Sequence, residues 1–96
     1  MSHGEFIDYW MNTHAQLCKK LPGLLRYSVN VVDRERFPQF EYDGFSELWF
    51  ESEEMLEAAL ASPEGQVLLA DLPHFVEHRF AIRSHEYQHL WPGLTH

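Results

Sequence analysis

The chain is predicted to adopt an α+β fold, in the order helix, strand, strand, helix, strand. Three observations carry this prediction. Phe6, Trp10, His14, Leu17 and Leu21 recur at spacings of four, four, three and four, the stripe of an amphipathic helix. Residues 24–32 and 44–50 alternate with the period of a half-covered strand. An apolar helical run then follows, broken and restarted at Ser62-Pro63, before a last short run near Phe80.

The first helix opens at Ser2 or His3, with Glu5 and Asp8 near the positive end of its dipole. Lys19 and Lys20 sit in its last turn, and Pro22-Gly23 stops it. From Leu24 to Val32, one face carries Leu25, Tyr27, Val29 and Val31, the other Arg26, Ser28 and Asn30. Asp33 to Tyr42 is a charged loop with Pro38, Phe37, Phe40 and Tyr42, long for a tight hairpin and suited to a lid or an interface arm. From Gly44 to Phe50, Ser46, Leu48 and Phe50 point one way, and Phe45, Glu47 and Trp49 the other. Ser52 caps the second helix, with Glu53 and Glu54 in its first turn and Met55, Leu56, Ala59 and Leu60 on its apolar face. Its restart carries Val67, Leu68, Leu69 and Leu72 and is expected to end at Pro73. Phe80 to Arg83 is predicted as the last strand, and Ser84 to His96 is left unassigned.

This order is a ferredoxin-like unit without its opening strand. That strand is central in the fold, and a sheet with a vacant middle rung leaves buried amides unpaired on both sides. The reading favoured from sequence is a strand upstream of Met1, about ten residues with its connection. The alternatives are that the final strand closes up against its neighbour, or that a partner chain donates the rung.

At 96 residues the chain is one domain, spanning 1–96. Its aromatic content of 15% exceeds what so small a core needs, which points to a pocket or a homodimer contact. A net charge of −8 with no basic stripe excludes nucleic acid and disfavours anionic membrane surfaces. No apolar run reaches the length of about 18 residues that a membrane span needs. Cys18 is the single cysteine, so no internal disulfide forms, and a reducing cytoplasm is the expected compartment. There is no glycine-rich phosphate loop and no G-x-S-x-G elbow, and no cofactor is expected.

His14 stands on the apolar stripe, where an unpartnered imidazole would cost about 1–3 kcal/mol. Either the fold satisfies it as a core residue, or a cavity lies there and the ring works in it. Glu47 stands between Phe45 and Trp49 on its strand face. If that face meets the first helix, Glu47 and His14 share one enclosure and can pass a proton near neutral pH. If it meets solvent, Glu47 is a solvated strand residue beside a dimer contact. Asp43 is the alternative acid, though Asp43-Gly44 also reads as a turn. Phe6, Trp10, Tyr27 and Trp49 are the candidate ring-holding residues; each also serves as ordinary packing. Cys18 lies four residues after His14, but a lone cysteine more often packs than attacks. His74-Phe75-Val76-Glu77-His78 matches the H-x-x-E-H string of a zinc peptidase class. In an extended segment its histidines stand about 13 Å apart, so no metal is expected.

Phe6-Ile7-Asp8-Tyr9-Trp10, His14-Ala15 and Leu21-Pro22-Gly23-Leu24 with Tyr27 resemble the first helix and strand of the EthD family. Asp43-Gly44-Phe45-Ser46-Glu47-Leu48-Trp49-Phe50, Ser62-Pro63-Glu64-Gly65 and Ala70-Asp71 resemble its second half. The resemblance spans about residues 3 to 83. It implies a dimeric α/β barrel with a pocket between sheet and helices. It also implies kinship with small cofactor-free enzymes acting on aromatic and polyketide-derived rings, such as lactone isomerases, decarboxylases, dehydratases and monooxygenases. By the same resemblance His14 is the first residue carried over, then Asp43 and Glu47. Two functions follow as expectations. One is an isomerase or lyase in which His14 shuttles a proton on an oxygenated hydrophobic ring. The other is a non-catalytic dimeric binding or accessory module in which His14 is structural.

Overall fold

A computed structural model describes residues 1–90 and residue 92 of the chain. The end of the predicted tail, residues 91 and 93–96, lies outside the described residues.

Ser2 and Glu5 open the first helix by a reciprocal cap. The Ser2 hydroxyl accepts from the Glu5 amide at 3.1 Å, and the Glu5 carboxylate accepts from the Ser2 amide at 3.2 Å. Helix α1 (His3–Tyr9) runs into a π-helical turn (Trp10–His14) and then into α2 (Ala15–Cys18). Backbone angles stay helical across both junctions, so the rod is continuous. The uninterrupted α-helix expected here is corrected by that wider turn, in which the Ala15 amide bonds to the Trp10 carbonyl. The extra residue moves the buried stripe along by one. Trp10, His14, Ala15, Cys18 and Leu21 are buried, while Leu17 is only half-buried. Gly23 then turns the chain at φ +78°, a conformation that favours glycine; a Cβ there would also meet Met55 Cε at 2.8 Å.

Strand β1 (Arg26–Val31) pairs antiparallel with β2 (Gly44–Trp49), Tyr27 opposite Leu48 and Asn30 opposite Phe45. The register puts Tyr27, Leu48 and Phe50 on the inner face, against a core of Cys18, Leu21, Ala59 and Leu68. Phe45, Glu47 and Trp49 therefore take the outer face. Ser52 caps α3 (Glu53–Ala61) by accepting from the Met55 amide. Ser62 caps α4 (Pro63–Phe75) by accepting from the Gly65 amide, and its own hydroxyl donates to the Ala59 carbonyl at 2.5 Å. Gly65 lets the two helices meet, since a Cβ there would lie 2.2 Å from the Ala59 carbonyl oxygen.

Two expectations fail at the chain's end. Helix α4 does not stop at Pro73 but runs through it to Phe75. Proline removes one donor, and so near the helix end only one ladder bond is lost; the Val76 amide still closes the last turn on Leu72. Phe80–Arg83 forms no strand: the described sheet is β1 with β2. A strand exists through ladder bonds to a neighbour, and this segment is instead held by side chains. Phe80 meets the Tyr42 ring at 5.1 Å, and Arg83 pairs with Glu53 and Glu57 of α3. No described helix is long and apolar enough to cross a membrane.

Candidate functional site

Three side chains from the first helical rod and α4 converge. His14 Nδ1 lies 2.9 Å from Asp71 Oδ2, and the Tyr9 hydroxyl donates to Asp71 Oδ1 at 2.6 Å. Tyr9 precedes the π turn and His14 ends it. At about 100° per residue an α-helix would set residues five apart about 140° away from each other. The i→i+5 closure of the π turn brings both to the side facing α4. Phe75, which helix α4 reaches only by passing Pro73, packs at a tilt beside His14 and Tyr9. Its ring centre is 4.8 Å from His14, 5.0 Å from Tyr9 and 5.6 Å from Phe6. Phe6 in turn meets Trp10 at 5.6 Å.

The electrostatics follow from this geometry. Burial works against the Asp71 carboxylate, but the Tyr9 hydroxyl and His14 together outweigh it and hold Asp71 below the usual range. Asp71 is therefore ionised near neutral pH and stands as an acceptor on both oxygens. The Tyr9 hydroxyl is pushed up by its bond to Asp71 and then by burial, so it stays a donor. His14 keeps 7% of its side chain exposed. No hydrogen bond to its Nε2 is found among the described residues.

The other residues singled out from sequence fall in three places. Phe6 and Trp10 stand with His14; Trp10 is buried and lies against Gly44, where a Cβ would meet its ring at 3.0 Å. Tyr27 lies in the core below, its hydroxyl facing the Cys18 thiol; burial pushes both groups up, so the thiol is a poor nucleophile. Asp43, Glu47 and Trp49 lie apart from His14. Asp43 is engaged by Arg34 at 2.8 Å and by His3 at 3.5 Å. Glu47 is exposed on the outer face and accepts from Asn30 at 3.3 Å. Trp49 carries Arg26 over its ring and donates its N–H to Glu86 at 2.5 Å.

Asp71, Tyr9 and Phe75 escaped the reading of the sequence. The signal was present: Leu68, Asp71 and Phe75 share one face of α4, so Asp71 is a carboxylate on an apolar stripe, as His14 is an imidazole on one. The described surface carries a hollow of about 290 Å³ lined by Val32, Asp33, Phe37, Phe40 and Phe45. Another of about 210 Å³ is lined by Leu17, Lys20, Pro63, Glu64 and Val67. Neither is lined by His14. Among the described residues no His, Cys, Asp and Glu side chains gather as a set able to hold a metal ion.

Fold and site define a class: an α+β protein whose first helical rod carries a buried histidine, clamped to a carboxylate of helix α4. Residues 1–79 match the profile described as the EthD domain. The chain belongs to the EthD family. A relative, an uncharacterised 11.0 kDa protein of the thcB-thcC intergenic region in Rhodococcus erythropolis, is 31% identical over 71 residues, covering 73% of this chain and 68% of that protein. The crystal structure of an ethyl tert-butyl ether D (EthD) family protein from Bacillus halodurans superposes with a TM-score of 0.63 at 27% identity. That match covers 77% of this chain and 74% of the other.

Proposed function

We propose that this protein is a small cofactor-independent enzyme of isomerase or lyase type, acting as a homodimer on an oxygenated aromatic or polyketide-like ring. The observation that carries this reading is the state of His14: one nitrogen is fixed by a carboxylate, and the other has no hydrogen-bond partner among the described residues. An imidazole so held takes a proton at Nε2 and returns it at another atom of the bound ring. Such transfer is worth roughly 10²–10⁴-fold in rate. Phe6, Trp10 and Phe75 supply apolar surface around it, and Asp71 supplies the counter-charge when the ring is protonated. Glu47, Asp43 and Trp49, turned elsewhere, take no step in this mechanism.

A non-catalytic binding or accessory module is the second reading. The placement of both surface hollows away from His14 favours it. Thermal-shift screening of phenols, quinones and lactones against wild type and His14→Ala separates the two. The enzyme reading expects a compound that raises the melting temperature of wild type, loses that effect in folded His14→Ala, and is turned over by wild type. Stabilisation that persists in His14→Ala, or binding without turnover of any ligand found, points to the module.

A further inference from the structure

We propose that Asp71 and Tyr9 form a positioning chain that fixes His14 as its Nδ1–H tautomer, with Tyr9 holding the Asp71 carboxylate by its other oxygen. The inference deepens the reading of His14 above and rests on the same site, but it concerns the resting protein and needs no substrate. Asp71 offers two oxygens, and each has its own donor: Tyr9 on Oδ1 at 2.6 Å, His14 on Oδ2 at 2.9 Å. A carboxylate is acceptor-only, so the His14 nitrogen facing it must carry a proton, and in the neutral ring Nε2 must then be the lone-pair acceptor.

Tyr9 has a part beyond packing on Phe75. Its hydroxyl shares the charge of the carboxylate that His14 also uses. Without that donor, Asp71 keeps one of its two hydrogen bonds and is less firmly held against Nδ1. The titratable groups around the pair are Tyr9 on α1, Cys18 on α2, and Asp71 and His74 on α4. When a ligand O–H or activated C–H gives up its proton, that bond's electron pair stays on the ligand and a new N–H forms at Nε2. The imidazolium so made is paired with Asp71, and its return of the proton to another ligand atom restores the starting state.

The test is ¹⁵N NMR of the histidine rings in the full-length protein, with His14 assigned by the signals that vanish in His14→Ala. The neutral ring of wild type is expected to show Nδ1 protonated and Nε2 bare. Asp71→Asn, whose amide can donate to Nδ1 as well as accept from it, is expected to bring in the Nε2–H tautomer. Tyr9→Phe keeps the ring on Phe75 and, by releasing one oxygen of Asp71, is expected to bring in a measurable fraction of the Nε2–H tautomer. A proton on Nε2 of the neutral ring in wild type overturns the assignment, as does a tautomer ratio that Tyr9→Phe leaves unmoved in folded protein. Tyr9→Phe removes a single hydroxyl and decides the matter even if Asp71→Asn fails to fold. Failure to find a turned-over ligand leaves these spectra unchanged, so the two readings fall separately.

Discussion

A buried carboxylate and imidazole stabilise each other only while each holds its proper proton, and this gives the site a pH signature. Asp71 titrates below its ordinary value of 3.8 in the folded chain, because Tyr9 and His14 together outweigh the cost of burial. A depressed folded value contributes stability above the ordinary value, and that contribution is lost as pH falls through the lower one. Wild type is therefore expected to lose denaturant resistance more steeply than Asp71→Asn below about pH 4; equal slopes in urea melts would contradict the pairing. Cys18 gives a second signature. Burial pushes its thiol up, so labelling by a thiol reagent at pH 8 should be slow in the native protein and fast in urea; rapid native labelling would show the thiol exposed. At this scale the sequence disclosed half of the site. His14, Trp10 and Phe6 follow from one stripe on one helix. Asp71 and Tyr9 do not, because periodicity within an element does not say which other element faces it, and the π turn that aligns Tyr9 with His14 has no pattern of its own.

Local chemistry explains which elements could be read in advance. Caps placed the helices correctly, because Ser2, Ser52 and Ser62 each accept from an amide three residues on. Alternation placed both strands, but not which face of the second turns inward. Leu48 and Phe50 on one side and Phe45 and Trp49 on the other are equally apolar, so Glu47 was ambiguous until the register against Tyr27 put it outside. The predicted strand at Phe80 was read from composition, and its ladder partner is not among the described strands. The junction of α3 and α4 is the element most exposed to mutation. Gly65→Ala would place a Cβ 2.2 Å from the Ala59 carbonyl and 2.4 Å from the Leu60 carbonyl. Both are backbone atoms with little room to yield, so a loss of about 1–3 kcal/mol is expected. Gly4→Ala in α1 has nothing within 4 Å and should gain about 0.5–1 kcal/mol as a helix substitution. Denaturant melts of the two variants read the contrast directly; a neutral Gly65→Ala would mean that the helices part without cost.

For the molecule as a whole, apolar surface remains uncovered. Phe37, Phe40 and Phe45 are 57%, 53% and 58% exposed and line the larger hollow together. The loop carrying Phe37 and Phe40 is tied down by Arg34, which donates to the Phe37, Phe40 and Tyr42 carbonyls and to the Asp43 carboxylate. Aromatic groups held in place this way lose little further freedom on association, which favours an interface. The proposed homodimer gives that surface an occupant, a second copy of the same chain. Each copy carries a net charge of −8, so like charge opposes association and salt relieves it. Sedimentation should therefore find a dimer that tightens as ionic strength rises toward about 0.5 M, where screening is nearly complete. Phe40→Lys and Phe45→Lys should each give a folded monomer, because they charge the patch without touching the core of Cys18, Leu21, Ala59 and Leu68. Arg34→Ala should weaken the dimer while leaving β1 and β2 paired, because it frees the loop and not the sheet. A monomer at every concentration and salt, or a dimer indifferent to all three substitutions, would place the contact elsewhere or deny it.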